Sequence, residues 1–104
     1  MDLNMNWETN RIDLGVIKQN SVVRFKFNSL YPLDVVKFKP GCGGCTTLGK
    51  YENDTLPVVY KPGAIPKHII RRPEFKFQVV TKTIVVMYED GKQEILYFTA
   101  KIIK

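Results

Sequence analysis

A chain of 104 residues, 44% hydrophobic and 25% charged, is long enough to bury one core and too short for two ordinary domains. That composition excludes a polar, highly charged disordered polymer. Sixteen Lys and Arg against ten Asp and Glu give a formal charge of +6, which favours acidic partners through long-range attraction without naming one.

In chain order, apolar residues recur at every second position, and Val, Ile, Thr, Phe and Tyr dominate the periodic segments, a strand pattern. Strands are predicted at 7–12, 20–28, 32–39, 55–61, 66–70, 75–89 and 93–103. Turn-forming groups separate them, among them Asn28-Ser29, Pro40-Gly41, Pro62-Gly63, Arg72-Pro73 and Asp90-Gly91. About seven short strands at such spacing predict an all-β, antiparallel sandwich or barrel. Arg24 and Lys26 alternate with Val23, Phe25 and Phe27, the ordinary solvent face of a strand, so charge alone is a weak argument for nucleic-acid binding.

The last two strands form a hairpin, because Asp90-Gly91 supplies the positive φ values of a two-residue type I′ turn. A two-residue loop sets Met87 opposite Glu94, Val86 opposite Ile95 and Ile84 opposite Tyr97. One face then carries Val85, Met87, Leu96, Phe98, Ala100 and Ile102, and the other Ile84, Val86, Tyr88, Ile95 and Tyr97. A strand pair apolar on both faces must be covered on both. Either segments 40–54 or 62–74 of the chain fold over the second face, or a partner does.

Cys42 and Cys45 offer three readings: a redox dithiol, half of a shared metal site, or a structural turn with or without a disulfide. Redox activity calls for a helix N-terminus after the first Cys, whereas Gly43-Gly44 follows here with β signals on both sides. A zinc site needs four ligands, and the chain has two Cys and the single His68. The structural turn is the expectation, and neither metal nor cofactor is assigned. His68 has no nucleophile that spacing places beside it, and the carboxylates from Asp13 to Glu94 fall mostly at turns and strand edges. Nothing selects a catalytic acid, base or phosphate loop, so enzymatic activity is not expected.

The segments Ile12-Asp13-Leu14-Gly15-Val16-Ile17 and Val22 to Asn28 are followed by Pro32-Leu33-Asp34-Val35-Val36, Gly41-Cys42-Gly43-Gly44-Cys45-Thr46 and Pro62-Gly63. In that order they resemble the Hydin-like (ASH-type) immunoglobulin-like domains, including a bacterial family of unknown function with a Cys-Gly-Cys-Thr turn. Leu14 stands where the family pattern has Phe, one extra Gly separates the cysteines, and 64–74 departs from the pattern. The resemblance implies a seven-stranded immunoglobulin-like sandwich over 1–104 with a scaffold or binding role, and it carries no catalytic site.

These readings converge on a protein–protein interaction module, such as an auxiliary or decoration subunit of a phage capsid. Its expected contacts are Ile84, Val86, Ile95 and Tyr97 on the hairpin and Lys67, Arg71 and Arg72 in the basic segment. The alternatives are a nucleic-acid binder using Lys67, Arg71, Arg72 and Lys76, and a small thiol or metal protein using Cys42 and Cys45. The first twenty residues lack the pattern of a secretory signal, and no apolar stretch approaches a membrane span. The expectation is therefore synthesis in the cytoplasm, retention there or in a particle assembled there, and no membrane partner.

Overall fold

Among the described residues, seven strands and one short helix arise: β1 (Arg11–Lys18), β2 (Val23–Asn28), β3 (Val35–Pro40), β4 (Thr46–Leu48), β5 (Thr55–Tyr60), α1 (Lys67–Ile70), β6 (Gln78–Tyr88) and β7 (Gln93–Ile103). The structure is a computed structural model that describes residues 6–104. The leader reading and the 1–104 boundary both begin in residues 1–5, outside the described residues.

The strands form two packed sheets, ordered β1-β7-β6-β3 and β2-β5-β4. This is an all-β sandwich in which β2-β5-β4 and β7-β6-β3 follow the immunoglobulin-like order, with β1 paired to β7 instead of β2. Every paired strand is antiparallel except β1, which runs parallel to β7. After β1 the chain crosses from the four-stranded sheet to β2 in the other. The inner faces meet over Trp7, Phe27, Leu56, Val58, Tyr60, Ile84, Val86, Leu96 and Phe98. Phe98 sits at the centre, edge-on to Phe25 at 5.0 Å and to Tyr60 at 5.1 Å between ring centroids, the geometry aromatic quadrupoles prefer.

β2, β3 and β6 each begin three residues later than read in the sequence, and three elements differ more deeply, each for a local reason. Of segment 7–12, Trp7 makes a bridge to Ser29 and only Arg11 and Ile12 are in β1, which runs on to Lys18 across a bulge between Asp13 and Val16. There Gly15 takes φ 73 and its N–H donates to Asp13 Oδ1 at 2.8 Å, so the period-two pattern breaks in mid-strand. Segment 66–70 is helical: Pro66 stands at the N-cap of α1, and a proline with its fixed φ is tolerated where no helical N–H is needed. β4 is three residues long, too short for periodicity to reveal.

The hairpin register is corrected by one residue. The Gly91 N–H donates to the Tyr88 carbonyl at 3.0 Å and the Tyr88 N–H to the Lys92 carbonyl at 2.9 Å, which closes a loop of Glu89, Asp90 and Gly91 with Gly91 at φ 89. A longer loop ending in a left-handed residue is the other common hairpin solution. Met87 therefore pairs with Gln93, Val85 with Ile95, Ile84 with Leu96 and Thr83 with Tyr97. A shift of one moves one strand's whole apolar set to the other side of its partner's.

Cys42 and Cys45 are joined by a disulfide, their Cα atoms 5.6 Å apart, in the crossing from β3 to β4. The approach is tight: a Cβ on Gly41 would lie 2.7 Å from Thr83 Oγ1 and 3.3 Å from the Thr83 carbonyl oxygen. Glycine is required there for space. Segment 62–74 does cover apolar surface, but at the end of the sandwich, where its Ile65, Ile69 and Ile70 pack with Ala100 and Ile102 of β7.

Candidate interaction surface

With the register fixed, even-numbered residues of β6 and β7 face inward, Ile84, Val86, Leu96, Phe98, Ala100 and Ile102 reaching the core, and odd-numbered residues face outward. Ile84 and Val86 are 0% exposed, which corrects their assignment as partner contacts: they pack on Leu96 and Phe98 inside the sandwich. Ile95 and Tyr97 stand on the opposite side of the same sheet. Ile95 is 43% exposed and faces Val85, while half-buried Tyr97 faces Thr83. The expectation of a strand pair apolar on both faces therefore holds in part, with its membership redrawn.

This outer face has an apolar centre and a basic margin. Val85, Met87, Ile95 and Tyr97 form the centre, and Val79 and Val36 stand exposed towards its edges. Around them, Lys37 lies opposite Met87, Lys39 opposite Val85 and Lys101 opposite Val79, and all three are exposed. The Arg11 guanidinium sits 4.8 Å from the Tyr97 ring centroid, where the ring face attracts a cation. The other sheet presents a plainer outer face, with Arg24 beside Val59 and Lys26 beside Pro57. Arg11, Lys37 and Lys39 escaped the sequence reading, which did not place β1 beside β7 or β3 beside β6, and the slipped hairpin register put Met87 on the face opposite Ile95 and Tyr97.

Lys67, Arg71 and Arg72 are exposed, but they belong to α1 and the turn after it, at the end of the sandwich where β7 finishes. Ile95 lies near the start of β7, about 25 Å away along a strand rising roughly 3.3 Å per residue. The expected contacts thus fall in three places: core, outer sheet face and basic end. Beside the basic residues, a groove of about 430 Å³ is lined by Ile69, Phe75, Phe77, Arg72, Glu74 and Lys76.

At the opposite end, a cleft of about 800 Å³ lies between the β2–β3 and β6–β7 connections, lined by Tyr31, Asp34, Tyr88, Asp90, Gln93 and Glu94 among others. Its wall is a hydrogen-bonded relay. The Trp7 Nε1–H donates to Tyr88 Oη at 3.0 Å, and the Tyr88 hydroxyl donates to Glu94 Oε1 at 2.6 Å. Asn6 donates to the same carboxylate oxygen and accepts from the Tyr31 hydroxyl. Burial, reinforced by the Glu94 carboxylate, pushes the Tyr88 phenol up to about 12. It is a permanent donor at neutral pH, and the relay ties the hairpin base to the segment before β1.

The disulfide occupies both thiols. Among the described residues, no group of three or more His, Cys, Asp and Glu side chains is placed to hold a metal ion, and no helix is long and apolar enough to cross a membrane.

No family model matches the chain, and no curated protein matches it. Among solved structures, the chain is similar to a 2,6-sialyltransferase of Vibrionaceae Photobacterium sp. JT-ISH-224, crystallised in a ternary complex with CMP and lactose. Identity is 16%, the TM-score is 0.48, and the likeness covers 90% of this chain and 17% of that one. The chain thus spans under a fifth of that enzyme's length. The expectation of a protein without enzymatic activity is corrected by this finding: the neighbour is an enzyme, and the exclusion does not stand. At this similarity the likeness assigns neither an activity nor a residue to the chain.

Proposed function

We propose that the chain is a protein–protein interaction module that docks through the outer face of the β1-β7-β6-β3 sheet, within a larger assembly such as a phage capsid. The Hydin-like sequence pattern supports a binding role of this kind. The observation that carries the reading is the apolar strip of exposed Ile95 and half-buried Tyr97, Val85 and Met87, bordered by Lys37, Lys39 and Lys101. Contiguous apolar surface with a polar rim is the anatomy of a recognition patch. Its basic margin selects a partner whose own apolar patch is edged with Asp and Glu. A second copy packed face to face would bring lysine margins together, which disfavours that occupant.

The test is recovery of the partner from the native source with the wild-type chain and with Ile95→Lys. Loss of the partner in a variant that unfolds at the wild-type temperature supports the reading. Unchanged recovery overturns it.

A further inference from the structure

We infer that copies of this chain associate end to end, the loop carrying Leu30 and Tyr31 in one copy seating in the basic groove beside α1 of the next. The inference goes beyond the sheet-face reading and uses neither Ile95 nor Tyr97. β6 has 11 residues and so spans about 36 Å at roughly 3.3 Å per residue. The molecule measures 49 × 29 × 21 Å, so the strands lie along its longest dimension and the connections between them form its two ends.

The ends are opposite in charge and alike in bearing apolar surface. At one end Leu30 is 56% and Tyr31 49% exposed, flanked by Asp34, Glu89 and Asp90, with Lys92 the opposing charge. The Tyr31 hydroxyl is anchored on Asn6, so the aromatic side chain is presented and not free to collapse. At the other end Ile69, Phe75 and Phe77 floor the groove between α1 and β6, with Arg72 and Lys76 at its edge and Glu74 the opposing charge. Phe77 is 44% exposed and lies under the Lys101 ammonium, 4.9 Å from ring centroid to Nζ.

Two acidic ends repel, and so do two basic ends. An acidic end carrying an apolar projection matches a basic end carrying an apolar groove. Such a contact is heterologous, and because its two halves sit at opposite ends of an elongated molecule it propagates as an open chain.

The experiment is sedimentation velocity of the full chain over a concentration range, in low salt and in about 1 M salt, where the Debye length is about 3 Å. Two variants block the ends separately: Leu30→Lys with Glu89→Lys, and Arg72→Glu with Lys76→Glu. The expected result is a wild-type mass that rises with concentration in low salt and falls back towards the 12.0 kDa monomer in high salt. Each variant alone then reaches no more than a monomer, and their equimolar mixture forms a dimer through its one intact pair of ends. Three results overturn the inference: a wild-type monomer at every concentration, a mixture that stays monomeric, or chaining abolished by Ile95→Lys, which would place the self-contact on the sheet face. A wild-type monomer whose basic end retains an oligonucleotide until salt is raised would assign that end to nucleic acid instead.

Discussion

Val85 lies opposite Ile95 across the β6–β7 hairpin, and this one pairing decides which residues of the two longest strands are core and which are surface. It divides Ile84, Val86, Leu96 and Phe98, fully buried, from Val85, Ile95 and Tyr97 on the far side of the sheet. Replacing Phe98 by Ala is expected to cost about 3–5 kcal/mol of stability, the range for emptying an aromatic core site. Ile95→Ala is expected to cost less than about 1 kcal/mol, as for other surface positions. Urea unfolding of the two variants checks the division, and equal losses would show that the outer face is covered.

Gly41 and Thr83 are predicted to be coupled. Gly41→Ala forces a Cβ within 2.7 Å of Thr83 Oγ1, and Thr83→Ala removes that oxygen while leaving the carbonyl contact at 3.3 Å. The double variant should recover part of the stability lost by Gly41→Ala, with an interaction energy of about 0.5–3 kcal/mol for groups in contact. Strict additivity in a double-mutant cycle would contradict the packing.

The cysteines bridge a sequence separation of 3, so reducing them frees only a very short loop. A chain-entropy estimate for such a loop is about 2 kcal/mol. The paired replacement Cys42→Ser and Cys45→Ser should lower the midpoint of thermal unfolding modestly and leave the far-ultraviolet spectrum of a β protein intact. Loss of the fold would give the bridge a larger role than its loop length allows.

Above pH 10 the protein should lose stability through Tyr88. Its phenol is raised to about 12 in the folded state from the ordinary 10.0, so between those values the native state binds more protons than the unfolded one. The stabilising contribution is complete below about pH 10 and is lost as pH rises towards 12. Tyr60 is raised by burial as well and adds a slope of the same sign. Tyr88→Phe should flatten the alkaline loss without abolishing it, as read by unfolding midpoints across that range. A steeper loss in the variant would contradict the account.

The fold class was legible because alternation in segments such as 20–28, 55–61 and 93–103 follows directly from half-buried strands. What was hidden has local causes. The bulge at Gly15 breaks the alternation of β1, and Pro66 turns an apolar Ile69-Ile70 pair into one turn of helix. Asp90-Gly91 fits both a two-residue and a three-residue loop, and only the backbone hydrogen bonds of Tyr88 separate them. The candidate surface depended on that choice. Ile95 and Tyr97 do lie on the outer face, Ile84 and Val86 lie on the inner one, and Lys37 and Lys39 became visible as the outer face's margin only once β3 was seen beside β6. The acidic end was invisible as a unit, because Tyr31, Asp34, Asp90 and Glu94 converge from two connections far apart in sequence.

The central claim is that the outer face of the β1-β7-β6-β3 sheet is the docking surface, and lysine crosslinking of the chain in its native assembly, read by mass spectrometry, tests it most directly. The account predicts partner crosslinks concentrated at Lys37, Lys39 and Lys101, the margin of that face. Partner crosslinks at Lys26, on the outer face of the other sheet, with Lys37, Lys39 and Lys101 unmodified by the partner, would contradict it.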